Sequence, residues 1–290
     1  MSASHAAVEP LPELMVEPIV RAALLEDLGR AGDLTTDAII RRASVMAGTI
    51  SARHPGTIAG TDTAALAFRL LDPNIMLTVE SPDGTRVQAG TPVIRIRGSA
   101  RAILSAERVA LNFLCQLSGV ATATALLVDA VRPYRARVVC TRKTIPGLRT
   151  LQKHAVRVGG GANHRFGLDD AVLIKDNHVA LAGGIRPAIE RVRQSVGHLV
   201  KIEVEVDTIA QLAEVLEVGT DAVLLDNMTP EQMREAVRMV NGRAIIEASG
   251  RITPANANAI AATGVGLISA GWITHSAPVL DLGLDAGPSD

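Results

Sequence analysis

Residues 201–227 read Lys201-Ile202-Glu203-Val204-Glu205-Val206-Asp207, then the amphipathic stretch Thr208–Val218, then Ala222-Val223-Leu224-Leu225-Asp226-Asn227. The first segment alternates with a period of two, the signature of a strand. A second apolar run can join it in a parallel sheet only if the stretch between them crosses over as a helix. The same rhythm extends in both directions. Apolar runs end at Cys140, Ile174, Val206, Leu225, Ile246 and Ala270, and amphipathic stretches at Ile185–Val196, Pro230–Val240 and Thr253–Thr263 fill gaps between them. The spacing predicts an α/β class with parallel strands. Nearly every strand end delivers a polar or glycine residue: Arg142 and Lys143, Lys175, Glu205 and Asp207, Asp226 and Asn227, Ser249 and Gly250, Gly271. In a parallel barrel these ends share one face, where active sites are built, whereas a doubly wound open sheet concentrates function at one crevice. Six consecutive ends of this kind favour the barrel.

Upstream the pattern differs. A helix is expected around Val16–Leu28, β-like segments near 46–60 and 75–97, and between them a helix from Thr61 to Leu71 that stops at Asp72-Pro73. The turn signals Pro82-Asp83-Gly84 and Ala89-Gly90-Thr91-Pro92 make this an α+β layer. A long helical stretch follows from Ser105 to Val131, with an interruption expected near Ser118-Gly119, and residues 1–12 read as a loose arm.

The 290 residues are 48% hydrophobic but only 2% aromatic, so the core must be filled by Val, Leu, Ile and Ala, which suits a tight barrel interior. A net charge of −1 argues against nonspecific nucleic-acid or membrane binding. Cys115 and Cys140 lack metal-ligand spacing and read as reduced thiols of a cytosolic protein.

The chemistry is concentrated between Thr141 and His178. Of the chain's four lysines, Lys143, Lys153 and Lys175 lie there, with Arg142, Arg149, Arg157, His164 and Arg165. Mixed planar guanidinium forks and compact ammonium charges suggest a polyanionic ligand with differing groups. Glu203, Glu205 and Asp207 share one face of a strand, and Asp226 ends the next. Such acids either form a salt-bridged interior or face a cation, a metal or a developing positive charge. A cationic sector beside an anionic one suits a substrate that is anionic at its ends and becomes cationic at its reacting centre. Ser249-Gly250 and Gly271 would let backbone N–H groups approach a phosphate. Arg108 lies on a helical stripe with Leu104, Leu111 and Cys115, where it either snorkels outward or crosses an interface. His178 reads as a structural histidine.

Taken in order, Thr-Arg-Lys-Thr-Ile-Pro-Gly-Leu-Arg from Thr141, Gly-Gly-Gly-Ala-Asn-His-Arg from Gly159, Ile-Lys-Asp-Asn-His from Ile174, Glu-Val-Glu-Val-Asp from Glu203, Leu-Leu-Asp-Asn from Leu224 and Thr-His-Ser from Thr274 resemble the quinolinate phosphoribosyltransferases. The resemblance runs from about Glu26 to Leu284. It implies an N-terminal α/β sandwich over residues 1–116, to which the tail 276–290 returns, and an incomplete, seven-stranded α/β barrel over residues 117–275. It implies transfer of the phosphoribosyl group of phosphoribosyl pyrophosphate (PRPP) to quinolinate with decarboxylation, in cytoplasmic NAD biosynthesis. The protein would be a homodimer or higher homo-oligomer with shared active sites and no nucleic-acid or membrane partner. Arg142, His164, Arg165 and Lys175 would bind quinolinate, with Arg108 from the partner subunit. Lys143, Glu205, Asp226, Ser249, Gly250, Gly271 and His275 would bind PRPP, and Asp207 would hold Mg²⁺ through water. Lys143, Lys175, Glu205 and Asp226 would be catalytic. The chain departs from the family pattern at Arg251, where glycine or asparagine is common, at Gly266, where aspartate is common, and at Trp272, which replaces a small residue.

Two rivals belong to other classes. A barrel aldolase would use Lys175 as a Schiff base. A metabolite-binding relative associated with transport would not need Arg142, Lys143, Arg165 and Lys175 all intact.

Overall fold

The computed structural model describes residues 8–287, so the first part of the expected N-terminal arm lies outside the described residues. The chain runs α1 (Glu13–Leu28), α2 (Leu34–Ile39), β1 (Val45–Ala52), β2 (Gly56–Thr57), α3 (Thr61–Leu71), β3 (Met76–Val79), β4 (Arg86–Val87), β5 (Pro92–Ser99) and α4 (Ala100–Val131). It continues with β6 (Arg137–Val139), α5 (Arg149–Val158), β7 (Val172–Ile174), α6 (Asp176–Ala182), α7 (Ile185–Ser195), β8 (Ile202–Val206) and α8 (Ile209–Val218). The last elements are β9 (Ala222–Asp226), α9 (Pro230–Val240), β10 (Ile245–Ser249), α10 (Pro254–Ala261), β11 (Leu267–Ser269), α11 (Trp272–His275) and β12 (Leu282–Ala286). Two compact units result. One holds the chain up to Ala125, Thr144–Gly160 and the chain from Ile273, and the other holds Leu126–Lys143 and Gly161–Trp272.

In the first unit an antiparallel sheet has the order β12-β1-β5-β3, so the C-terminal strand pairs with β1, Gly48 opposite Ala286 and Ala52 opposite Leu282. Helix α3 starts where Asp83, from the Pro82-Asp83-Gly84 turn, accepts hydrogen bonds from the backbone N–H of Gly60 at 2.8 Å and of Thr61 at 3.0 Å. These bonds satisfy donors that the first helical turn leaves unpaired.

Helix α4 is continuous through Ser118-Gly119, where the sequence suggested a break. Ser118 Oγ instead accepts from Ala59 N–H at 3.0 Å, and a side chain at Gly119 would put its Cβ 2.2 Å from the Pro278 carbonyl oxygen. The pair is therefore a packing notch rather than a helix breaker. By length and composition α4 could cross a membrane, yet two thirds of its most apolar window is buried, as in a core helix.

The second unit carries a six-stranded parallel sheet in the order β6-β11-β10-β9-β8-β7. All six apolar runs of the sequence became its strands. A seventh is reduced to one isolated parallel bridge, Val139 to Ala162. Gly159-Gly160-Gly161 leads directly into that bridge, and glycines supply neither side chains to pack nor a preference for extended backbone. The barrel is thus incomplete, with β6 and β7 at the edges of its sheet.

Polarity, rather than burial, alternates along these strands. Val204, Val206, Val223, Leu225 and Ala248 are buried, as are Leu212, Val215, Met233, Ala236 and Ile260 on the crossover helices. Each large aliphatic buried this way contributes roughly 1.5–3 kcal/mol. The alternate parity, Glu203 and Glu205, Leu224 and Asp226, Glu247 and Ser249, carries nearly all the polarity. Helices α8, α9 and α10 all begin with capping boxes, Thr208 with Gln211, Thr229 with Gln232 and Thr253 with Asn256, so each helix starts a few residues beyond its strand. Short, capped loops leave the strand ends little freedom, and the strand ends carry the site.

Candidate active site

Arg142, Lys143, His164, Arg165, Lys175, Glu205, Asp226 and Ser249 line one cavity of about 390 Å³, together with Thr141, Leu173, Leu224, Glu247 and Ser269. The placement follows from the sheet order. Arg142 and Lys143 follow β6, Lys175 follows β7, and His164 and Arg165 lie in the segment after the isolated bridge. The cations therefore gather at the two sheet edges, and Glu205 on β8 and Asp226 on β9 come next around the wall.

The two sectors meet at an ion pair between Lys175 Nζ and Glu205 Oε2. Lys175 remains 46% exposed and is not the desolvated amine that a Schiff-base aldolase requires. On the cationic side Arg142 Nε is buried without a hydrogen-bond partner. Arg165 donates through Nη1 to the Ala171 carbonyl at 2.9 Å. Burial, and then the neighbouring Arg142 charge, push the Arg165 guanidinium below its ordinary range. Two adjacent, partly desolvated guanidiniums are costly unless an anion joins them. A ligand with two neighbouring carboxylates relieves that cost.

His164 has a more specific geometry than the sequence implied. Its Nδ1 accepts the Arg165 backbone N–H at 2.7 Å, so the ring proton sits on Nε2, which faces Glu203 Oε2 at 2.9 Å and Glu247 Oε2 at 3.7 Å. Of the two acids of β8, Glu203 is thus committed to an interior histidine and Glu205 to a lysine in the cavity, and Asp207, just past the strand, is exposed. His178 is structural as expected, its Nδ1 accepting the Lys175 N–H at 2.9 Å.

Glu247 went unrecognised in the sequence. It is 1% exposed, and burial, followed by the Glu203 charge, raises its carboxyl to about 7. The available signal was one of parity. In Ile245-Ile246-Glu247-Ala248-Ser249 the acid falls on the same face as Ser249.

Asp207, Gly250, Gly271, Arg108 and His275 are not part of this lining. Gly271 packs against it, because a Cβ there would lie 2.8 Å from Lys143 Cδ and 3.2 Å from Thr141 Oγ1. Gly250 lines a second cavity with Asn227, Pro230, Arg251 and Asn256. Arg108 on α4 and His275 on α11 are exposed residues of the other compact unit.

The loops after β9 and β10 interlock. Asn227 and Arg251 have φ of 51° and 50°, and Gly250 has φ of 97°. The left-handed backbone at Arg251 explains why glycine or asparagine suits this position. Gly266 has no such constraint, since a Cβ would meet only the Ile246 carbonyl at an ordinary 3.6 Å. Trp272 donates through Nε1 to the Ile252 carbonyl at 2.8 Å and so ties its loop to the one after β10.

A Gly250→Ala side chain would fall 2.3 Å from Asn227 Oδ1 and 3.0 Å from Asn227 N. Asn227 Nδ2 also donates to Asp226 Oδ2 at 2.7 Å, so the clash reaches the acid. We expect the variant to raise the KM for a phosphorylated substrate at least about tenfold, as the left-handed backbone alone costs an L-residue roughly 1–2 kcal/mol. Binding to the guanidinium pair should be spared, which titration with a dicarboxylate would show.

The sequence comparisons agree with this geometry. Residues 33–118 match the model of the quinolinate phosphoribosyl transferase N-terminal domain and residues 120–285 that of its C-terminal domain. The chain is 45% identical over 273 residues to a nicotinate-nucleotide pyrophosphorylase [carboxylating] of Mycobacterium leprae, covering 92% of this chain and 95% of the relative. A probable enzyme of the same name from Bacillus subtilis is 41% identical, with 94% and 93% covered. The solved nicotinate-nucleotide pyrophosphorylase of Francisella tularensis superposes with a TM-score of 0.92 at 38% identity, over 97% of this chain and 99% of that one. With paired guanidiniums at the edges of a parallel sheet, acids on the next strands and both domain models matched in order, the chain belongs to the quinolinate phosphoribosyltransferase family.

Proposed function

We propose that this cavity transfers the phosphoribosyl group of PRPP to quinolinate with loss of the 2-carboxylate, giving nicotinate mononucleotide, pyrophosphate and carbon dioxide in NAD biosynthesis. The observation that carries the reading is the Arg142–Arg165 pair, two partly buried like charges across the cavity from Glu205 and Asp226. The guanidiniums take the adjacent carboxylates of the pyridine ring and Lys175 stands beside them. The ring nitrogen then faces the acids. As the C1–O bond of PRPP breaks, pyrophosphate leaves with the electron pair and positive charge grows on the ribose. Glu205 and Asp226 stabilise that charge while the nitrogen lone pair forms the new bond. Quaternisation makes the nitrogen an electron sink. The C2–carboxylate bond then breaks, carbon dioxide departs, and the pair left on C2 takes a proton from water. No protein base is required.

Lys143, held against Thr141 and Gly271, meets phosphate or pyrophosphate oxygens, and Ser249, Gly250 and Gly271 receive the 5′-phosphate. Asp207 offers an exposed hard oxygen ligand that fits Mg²⁺, a cation that keeps most of its waters and uses few carboxylates. Bound there through water, Mg²⁺ would supply charge neutralisation for the leaving pyrophosphate.

The shared-site part of the reading places Arg108 of a second protomer in the cavity, in keeping with its exposure on α4. A coupled assay with quinolinate, PRPP and Mg²⁺ tests the reaction itself. Arg108→Ala and Lys175→Ala should each be nearly inactive alone. A randomly reassociated mixture should recover roughly a quarter of wild-type activity, because a mixed dimer has one intact site. No recovery in confirmed mixed dimers would confine Arg108 to its own chain.

A further inference from the structure

At the floor of the cavity Glu203 and Glu247, two acids that the reaction above does not use, meet at His164. The ligating atoms of His164, Glu203 and Glu247 all lie within 4.8 Å of one another, on a loop, β8 and β10. Glu203 and Glu247 are 8% and 1% exposed, and Glu247 Oε1 has no hydrogen-bond partner. These residue types could ligate a divalent cation. The histidine argues against it. A backbone N–H can only donate, so His164 Nδ1 is the acceptor and Nε2 carries the proton that a metal would have to displace.

We propose that Glu203 and Glu247 share one retained proton under the pocket, and that this proton sets the affinity for quinolinate. Two carboxylates this close and this dry cannot both ionise at little cost, and one histidine N–H can neutralise neither of them fully. Glu203, bonded to His164, keeps the charge, and Glu247 keeps the proton. The rise of the Glu247 carboxyl to about 7, caused first by burial and then by Glu203, agrees with that division. Ser269 is hydrogen-bonded to Glu247, and the other charged groups that line the cavity with it are Arg142 and Lys143 after β6, Arg165, Lys175 after β7, Glu205 and Asp226. With the proton retained, four cations face the charges of Glu205, Asp226 and Glu203. When it is lost, the positive excess that attracts a dianion disappears. Glu203 and Glu247 are thus positioning residues: Glu203 holds the ring of His164, and through it the backbone of Arg165, and the two acids together fix the charge of the pocket floor. The proposal rests on quinolinate being the ligand.

A bound dianion disfavours ionisation of Glu247 further, so binding above about pH 7 takes up a proton. Quinolinate binding to the wild-type protein, measured by calorimetry without PRPP, should weaken from pH 7 to 9 by up to about tenfold per pH unit. Comparing two buffers of different ionisation enthalpy at pH 8 should reveal proton uptake. Glu247→Gln, which mimics the protonated acid, should bind with a flat profile and without uptake. A wild-type profile in that variant overturns the proposal, as does absence of uptake in the wild type, a measurement that needs no variant. Stoichiometric zinc or manganese in the purified protein, removable only with loss of quinolinate binding, also overturns it in favour of a metal site. Failure to bind quinolinate at any pH would instead overturn the functional reading.

Discussion

Replacing Arg165 with alanine is expected to raise the KM for quinolinate roughly ten- to a hundredfold while leaving the KM for PRPP near wild type. A charge-assisted hydrogen bond to a carboxylate is worth roughly 1.5–3 kcal/mol, which sets that range. The structure adds a reason to expect the upper end. Arg165 is already held below its ordinary range by burial and by Arg142, so water screens its attraction for a carboxylate less than it would at the surface. Arg142→Ala should act in the same direction, since its buried Nε is left without a partner in the free protein. The double variant should fall short of additivity, because each arginine relieves repulsion on the other when it is removed. Steady-state kinetics with each substrate varied in turn would check this. Unchanged quinolinate affinity in both single variants would remove the pair from the site.

Much of this arrangement was legible in the sequence because parallel strands advertise themselves twice, through an apolar run and through the polar residue at its end. All six runs became sheet strands, and the Thr61–Leu71 helix has the bounds that its flanking Gly60 and Asp72-Pro73 imply. What failed was whatever depends on the third dimension. Ser118-Gly119 has the composition of a break, but its polarity and lack of bulk serve close packing against Ala59 and Pro278. Alternation put Glu203, Glu205 and Asp207 on one face, yet it could not tell that depth along the barrel gives them different partners. Glu247 was passed over because a single acid inside an apolar run looks like the end of that run. The reach of Lys175 to Glu205 was equally hidden, since adjacency of β7 and β8 in the sheet, not in the chain, creates it. Among the proposed roles, those of Arg142, Lys143, His164, Arg165, Lys175, Glu205, Asp226 and Ser249 belong to residues that line one cavity, whereas those of Asp207, Gly250, Gly271, Arg108 and His275 fall outside that lining and rest on resemblance.

Glu205→Gln should lower kcat about a hundred- to a thousandfold, the scale on which loss of one preorganised electrostatic contact acts in enzyme sites. Its effect on quinolinate should be small or even favourable, and here the ion pair with Lys175 decides the direction. In the free protein the carboxylate occupies the ammonium that a substrate carboxylate would otherwise use. Glutamine keeps the shape, gives up the charge, and leaves Lys175 to the substrate. The ground-state complex therefore holds or tightens while the transition state, with its positive ribose, loses the charge facing it. A fall in kcat without a rise in KM is what removal of a transition-state interaction looks like. Single-turnover measurements would separate the chemical step from product release. A variant with normal turnover and weakened quinolinate binding would mean that Glu205 serves the pyridine ring rather than the ribose, and that the cationic and anionic sides have been assigned the wrong way round.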